Sequence, residues 1–192
     1  METRPLAQLA EVITGSSPDR HAARDAVPFI QIKDLDPVKR DLVAGNRPTA
    51  KRAVATKAGD VLLAARGGQA VVAGEGAGHG LVGAYPTLDV YLIRPQSDQL
   101  DPTYLAARLA CEPVRSGLQA STTGALIPRI PIVSLKGLSI PLPPLARQRA
   151  VGELFHLARE ETVLLERLVA STRHLRERQL AAAFASLESA TP

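Results

Sequence analysis

Residues 138–160 read Leu-Ser-Ile-Pro-Leu-Pro-Pro-Leu-Ala-Arg-Gln-Arg-Ala-Val-Gly-Glu-Leu-Phe-His-Leu-Ala-Arg-Glu, and the character of the chain changes in their middle. Up to Pro144 the prolines, each without an N–H and with φ fixed, forbid helix and favour an extended edge. From Leu145 to Leu187 there is no proline and one glycine, Gly152, among abundant Ala, Leu, Arg and Glu, the strongest helix formers. These 43 residues would make an unbroken helix of roughly 65 Å, far longer than the usual globular helix.

Within that helix Leu154, Ala158, Glu161, Leu165, Leu168, Thr172 and Leu175 follow alternating steps of four and three. The result is an apolar seam with two polar interruptions. Such a helix cannot cover its own stripe, so the spacing asks for a second helix. A bend that lets two halves pack on the rest of the chain would satisfy the same pattern.

Upstream the text is that of a small mixed domain. Val27 to Leu35 alternates apolar and polar with β-branched and aromatic content, and reads as a strand closed by Asp36-Pro37. Gly59-Asp60 opens the continuous apolar run Val61 to Ala65, the pattern of a buried strand. Arg66-Gly67-Gly68 turns the chain into Gln69 to Ala73, Gly74 to Gly83 is a glycine-rich loop or irregular hairpin, and Thr87 to Ile93 alternates as another strand. Asp101-Pro102 starts a helix that runs to about Ala110, because Asp caps the free amides and Pro is tolerated at the first helical position. Pro113 stops it. Ser121 to Gly124 is loop, Ile127 to Val133 extended, and Ser134 to Gly137 a turn.

The whole chain of 192 residues carries a net charge of +4, unevenly spread. Between Arg20 and Lys57 nine Lys and Arg face four Asp, so this stretch, about a fifth of the chain, holds more than the total. That distribution suits nucleic acid and equally suits a solvated face. The single cysteine, Cys111, excludes an intramolecular disulfide and a Cys-rich zinc site, and the four histidines show no ligand spacing. The N-terminus lacks an apolar signal core, and no apolar run approaches a membrane span. A reduced, cytoplasmic setting is expected.

Enzyme chemistry finds no constellation. Gly78-His79-Gly80-Leu81-Val82-Gly83 matches G-x-G-x-x-G, yet no helix follows to hold a pyrophosphate at its N-terminus. Ser16, Ser121 and Ser134 lack the G-x-S-x-G setting. Asp34, Asp36 and Asp60 have no acidic-x-Lys partner at strand spacing. The six aromatics are dispersed, which argues against a stacking platform for single strands. Loops rich in Gly, Thr, Gln, Arg and His, namely Arg66 to Gln69, Glu75 to Tyr85 and Ser121 to Arg129, suit duplex recognition, where cations meet phosphates and polar groups meet base edges.

The order of segments resembles one half of the DNA specificity subunit of type I restriction–modification systems. The matching stretches are Leu9 to Pro18, Val27 to Leu35, Gly59 to Gly67, Leu100 to Ala106, Thr123-Gly124 and Leu135 to Val151. The most specific is Ile-Pro-Leu-Pro-Pro-Leu just before a Gln and a long helix. The resemblance implies an α+β fold: a target recognition domain over residues 1–144 with a mixed, twisted β-sheet and short helices, then one long coiled-coil-forming helix over 145–188, then a tail over 189–192. It also implies that the chain cuts and methylates nothing. Double-stranded DNA and a methyltransferase subunit carrying S-adenosylmethionine are its implied partners, with a restriction/translocase subunit as a further one, in a phage-defence complex.

Two departures stand out. Arg147 sits where the family usually has an acidic residue, and an Arg in the first helical turn opposes the macrodipole by about 0.3–1 kcal/mol. The family also usually carries two recognition domains and two long helices, whereas this chain has one of each. A homodimer through the C-terminal helix, over inverted half-sites, follows from that difference. The DNA-contacting residues expected on this basis are Lys33, Arg66, Gln69, His79, Tyr85, Thr122, Thr123 and Arg129, with Leu154, Ala158, Leu165, Leu168 and Leu175 as the pairing seam. Arg147, Arg149, Arg173 and Arg176 form a basic face on the helix. A stand-alone DNA-binding regulator and a helix-pairing scaffold remain the alternative readings.

Overall fold

In the computed structural model, residues 2–19, 25–121 and 128–189 are described, 187–189 by their backbone alone. Four strands form the central antiparallel sheet in the order β2 (Ala10–Thr14), β8 (Val90–Pro95), β5 (Val61–Ala64), β6 (Ala70–Val72). The continuous apolar text of β5 is explained by burial on both faces. Val61 and Leu63 join Tyr91 and Ile93 against one core, while Leu62 and Ala64 join Val90 and Leu92 against a second. The first core is closed by the short helix α1 (Leu6–Leu9) and by α2 (Pro102–Ala110), through Leu6, Leu9, Leu105 and Leu109. Ile30, Leu35 and Leu81 close the second.

A smaller mixed sheet covers that second side. Its order is β4 (Val43–Asn46), β3 (Ala26–Ile30), β7 (Tyr85–Pro86), with β3 antiparallel to β4 and parallel to β7. A two-stranded ladder joins β1 (Glu2–Pro5) to β9 (Ser139–Leu142), so the start of the chain is stitched to the proline-rich segment before the long helix. Proline fits there because each strand of a two-stranded sheet has an open edge.

Several elements differ from the sequence reading. The strand expected over 27–35 ends at Ile30, and Ile32–Leu35 coils into a 3-10 turn. The cause is Asp34, fully buried, whose carboxylate accepts from the backbone N–H of Gln31 at 2.8 Å and of Asp41 at 2.9 Å. An alternating pattern had concealed a capped turn. The strand expected over 87–93 runs later, from Val90 to Pro95. Pro113, which ends α2, sits in the first turn of a new helix, α3 (Glu112–Ala120). The segment expected to be extended through Val133 is already helical in α4 (Ile132–Gly137).

The long helix α5 (Leu145–Ser189) is continuous over 45 residues, so it is not bent into two packed halves. Its first turns are clamped by Gln148, which is 1 % exposed. The side-chain oxygen of Gln148 accepts from Asp101 N at 3.0 Å, and its amide nitrogen donates to Gln99 O at 2.7 Å and Pro143 O at 2.9 Å. One side chain thus ties α5 to the proline segment and to the N-terminus of α2, where Asp101 caps Tyr104 N at 2.9 Å. One turn on, a Cβ at Gly152 would stand 2.9 Å from Thr103 Cβ and 3.0 Å from Tyr104 N. Only glycine allows the two helices to approach this closely.

Candidate nucleic-acid interface

The pairing of β5 with β8 places an acid–base group at each of its ends. At one end Asp60, 2 % exposed, receives two hydrogen bonds from Arg94, at 2.8 Å from Nε and 2.7 Å from Nη2, and one from Lys57 N at 2.7 Å. The bond to Asp60 holds the Arg94 guanidinium above its ordinary pKa, against the opposing effect of burial. This end is a fork-on-fork structural clamp.

At the other end Asp89 stands opposite the β5–β6 turn and is shared by two guanidinium groups. Arg66 donates to its Oδ2, and Arg129 Nη1 lies 3.9 Å from its Oδ1. Arg129 also lies over the Tyr91 ring, 5.8 Å from its centroid, and donates to Leu88 O. The Tyr91 hydroxyl donates to Ile130 O at 2.6 Å, and Ile130 N to Ala65 O at 2.9 Å, so the Arg129 segment is fixed beside the turn. Arg66, Asp89 and Arg129 are each a little over a third exposed. Two cations on one anion leave a net positive, solvent-facing group on rigid elements, which is the form phosphate or guanine recognition takes.

Of the other expected contacts, Gln69 joins this end and donates to Leu35 O at 3.2 Å. Lys33 is 41 % exposed, but its ammonium is held by Asp34 at 2.9 Å and Asp41 O at 2.6 Å. Tyr85 lies on the smaller sheet, with Arg47 5.9 Å above its ring and donating to its hydroxyl at 2.9 Å. His79 follows β6, at the opposite end of the hairpin from Arg66, on a loop that Arg40 holds by donating to Ala77 O, His79 O and Asp34 O. Burial pulls the Arg40 guanidinium below its ordinary pKa. Thr122 and Thr123 lie outside the described residues.

Asp89 and Arg47 escaped the sequence reading. Asp89 was visible only as the charge in an otherwise apolar Leu-Asp-Val-Tyr stretch, and Arg47 only as one cation among nine. A cleft of about 580 Å³ was not foreseen either; it runs along the outer edge of β2 and is lined by Lys51, Arg52 and Lys136 together with Glu11.

The helix presents two faces. Gln148, Gly152, Phe155, Arg159 and Val163 face the β-rich body, and Arg159, stacked 5.9 Å over Phe155, is pulled below its ordinary pKa by burial. The expected seam faces away. Leu154 is 69 %, Leu165 55 %, Leu168 63 % and Leu175 55 % exposed, and Ala158 is exposed with them. From Leu164 to Ser186 every residue is exposed. Among the described residues no helix is long and apolar enough to cross a membrane.

Neither family models nor curated proteins match this chain. Solved structures do. The HsdS subunit from Thermoanaerobacter tengcongensis is 20 % identical with a TM-score of 0.61, over 87 % of this chain and 39 % of its own. A chain from a structure on complex assembly and conformational transition of the type I R-M system is 24 % identical with a TM-score of 0.62, over 93 % and 43 %. The type I restriction–modification S subunit from M. genitalium is 8 % identical with a TM-score of 0.58, over 92 % and 44 %. The chain spans about two fifths of the length of these proteins. It has the fold of type I S subunits, the α+β fold that the sequence resemblance implied.

Proposed function

We propose that this chain is a non-catalytic, double-stranded DNA recognition subunit of a restriction–modification or related methylation-based defence complex. Residues 1–144 read one half of a bipartite site, residues 145–188 pair with a second copy, and a methyltransferase subunit docks beside them. The observation that carries this reading is the rigid α5, fixed to the body by Gln148 and Gly152 while its apolar seam stays uncovered. A seam of this length needs another helix, and a closed two-fold pair presents two identical bodies to one duplex.

In this reading Arg66 and Arg129 meet phosphate or base edges. Gln69 and Tyr85 with Arg47 are further candidates on the described residues, and Thr122 and Thr123 are proposed contacts from the sequence alone. Lys33 and His79 are weaker candidates, the first because its ammonium is already engaged, the second because it lies at the far end of the hairpin. The test is light scattering with selection of bound duplexes from a random pool, using the chain alone and with a co-purifying methyltransferase. A dimer that enriches inverted repeats is the expected result. A monomer that retains no duplex at low salt in either preparation overturns the proposal.

A further inference from the structure

The central sheet ends in β2, and the outer edge of that strand opens onto the cleft of about 580 Å³. Strand register shows what the edge displays. Ala10 stands opposite Pro95, Glu11 opposite Arg94 and Val12 opposite Ile93, and Gln96 N donates to Leu9 O at 2.9 Å. Hydrogen-bonded pairs alternate in an antiparallel ladder, so Glu11 and Ile13 turn their backbone groups to β8. Pro95, which has no N–H, falls at a position that needs none on this side. The carbonyls of Ala10 and Val12 and the N–H groups of Val12 and Thr14 therefore point away from β8, toward the cleft. None of the four has a partner among the described residues.

The walls of the cleft carry charge of one sign. Val54 packs on the second core and Ile132 on the first, so the two walls rise from opposite sides of the sheet. Lys51 and Arg52 line one wall just before Val54, and Lys136 lines the other one helical turn after Ile132. All three are exposed, and none forms an ion pair or a side-chain hydrogen bond among the described residues. Glu11, the acid among the lining residues, stands opposite Arg94 across the ladder. Three unanswered cations thus flank an open strand edge from both sides, which asks for anionic side chains on both faces of whatever lies between.

We propose that the outer edge of β2 takes an extended, acidic segment of another protein as an added strand. The backbone of that segment completes the ladder along Ala10 to Thr14. Its Asp and Glu side chains, alternating between faces as in any strand, reach Lys51 and Arg52 on one wall and Lys136 on the other. Nucleic acid fits less well, because phosphate oxygens only accept and would meet the carbonyls of Ala10 and Val12 with no proton between them. A peptide supplies both N–H and C=O. A second copy of the same edge is turned away by the charge of Lys51, Arg52 and Lys136, the usual protection of an open strand against its own kind. None of these groups belongs to the Arg66, Asp89 and Arg129 cluster, so the site stands or falls apart from the reading of DNA.

Selection from a displayed library of random heptapeptides on the intact chain tests the site. Sequences rich in Asp, Glu and β-branched residues should be enriched. A synthetic copy of the most enriched should bind about tenfold or more weakly when Lys51→Glu, Arg52→Glu and Lys136→Glu are combined. Arg173→Glu, Arg176→Glu and Arg178→Glu, which change the total charge equally on the exposed far part of α5, should leave binding within about twofold. Two forms of the peptide, N-methylated at alternate residues, then separate an added strand from a loose counter-ion. Methyl groups on the amides that face β2 should abolish binding, and methyl groups on the others should spare it. No enrichment of acidic sequences, equal loss in the two triple variants, or equal binding of the two methylated forms overturns the proposal. So does displacement of the peptide by a mixed-sequence duplex, which would give the cleft to nucleic acid.

Discussion

The two ends of the β5–β8 pairing use the same chemistry for different purposes. At one end Asp60 is buried and meets Arg94 through two hydrogen bonds, with a backbone N–H adding a third donor. At the other Asp89 is partly exposed and divides its charge between Arg66 and Arg129, neither of which is paired one to one. An ion pair that excludes water and satisfies every donor holds a fold together. One that leaves surplus positive charge in solvent contributes little stability and remains available to a ligand.

The largest effect should follow from breaking the buried end. Arg94→Ala leaves the Asp60 carboxylate with Lys57 N as its remaining neighbour in a site that is 2 % exposed. Removing one partner of a fully buried pair costs about 3–5 kcal/mol, and the part of Arg94 that reaches solvent lowers this to about 2–3 kcal/mol. Chemical denaturation should show the loss as a lower midpoint, with the salt dependence of DNA binding by the folded fraction unchanged. A stability within about 0.5 kcal/mol of the parent would mean that the clamp does not hold the sheet.

The exposed end should respond in the opposite way. Arg66→Ala should change stability by no more than about 0.5 kcal/mol. If Arg66 meets a phosphate, binding weakens similarly for all sequences and the salt slope falls by about one; if it reads a base, one position relaxes by roughly 1–3 kcal/mol. Fluorescence anisotropy over a salt series, on the selected site and on single-base variants, separates the two. Unchanged affinity and slope remove Arg66 from the interface.

That contrast also marks what could be read from the sequence. Elements with a local signature were legible: the Asp101-Pro102 start of α2, the apolar run of β5, and the proline-to-helix change at Leu145. Whatever depended on a distant partner was not. Asp34 sits in an alternating stretch and looks like a strand residue, but its carboxylate caps a 3-10 turn and reaches Asp41. Asp60 and Arg94 are far apart in sequence and meet only through strand register, and the same holds for Asp89 with Arg66 and Arg129. Gln148 stood out as part of a motif, while its three partners on two other segments are visible only in the fold. Arg66, Gln69 and Arg129 could be named from loop composition, yet composition alone could not separate them from Lys33, whose charge is engaged.

The smallest effect is the most diagnostic, because it predicts a gain. Asp89→Asn keeps the shape of the side chain and its capacity to accept one hydrogen bond from Arg66, while removing the negative charge that both guanidinium groups share. Stability should move by a few tenths of a kcal/mol at most, since the group reaches solvent and its ion pairs are screened. DNA affinity should rise by roughly two- to fivefold at low salt, equally on selected and unselected duplexes, and the gain should fade as salt increases. The double variant Asp89→Asn with Arg66→Ala should lose much of that gain, which makes Arg66 a carrier of the added attraction. If Asp89→Asn instead weakens binding, the carboxylate is needed to aim the two arginines, and this end of the sheet resembles the buried clamp more than its exposure suggests.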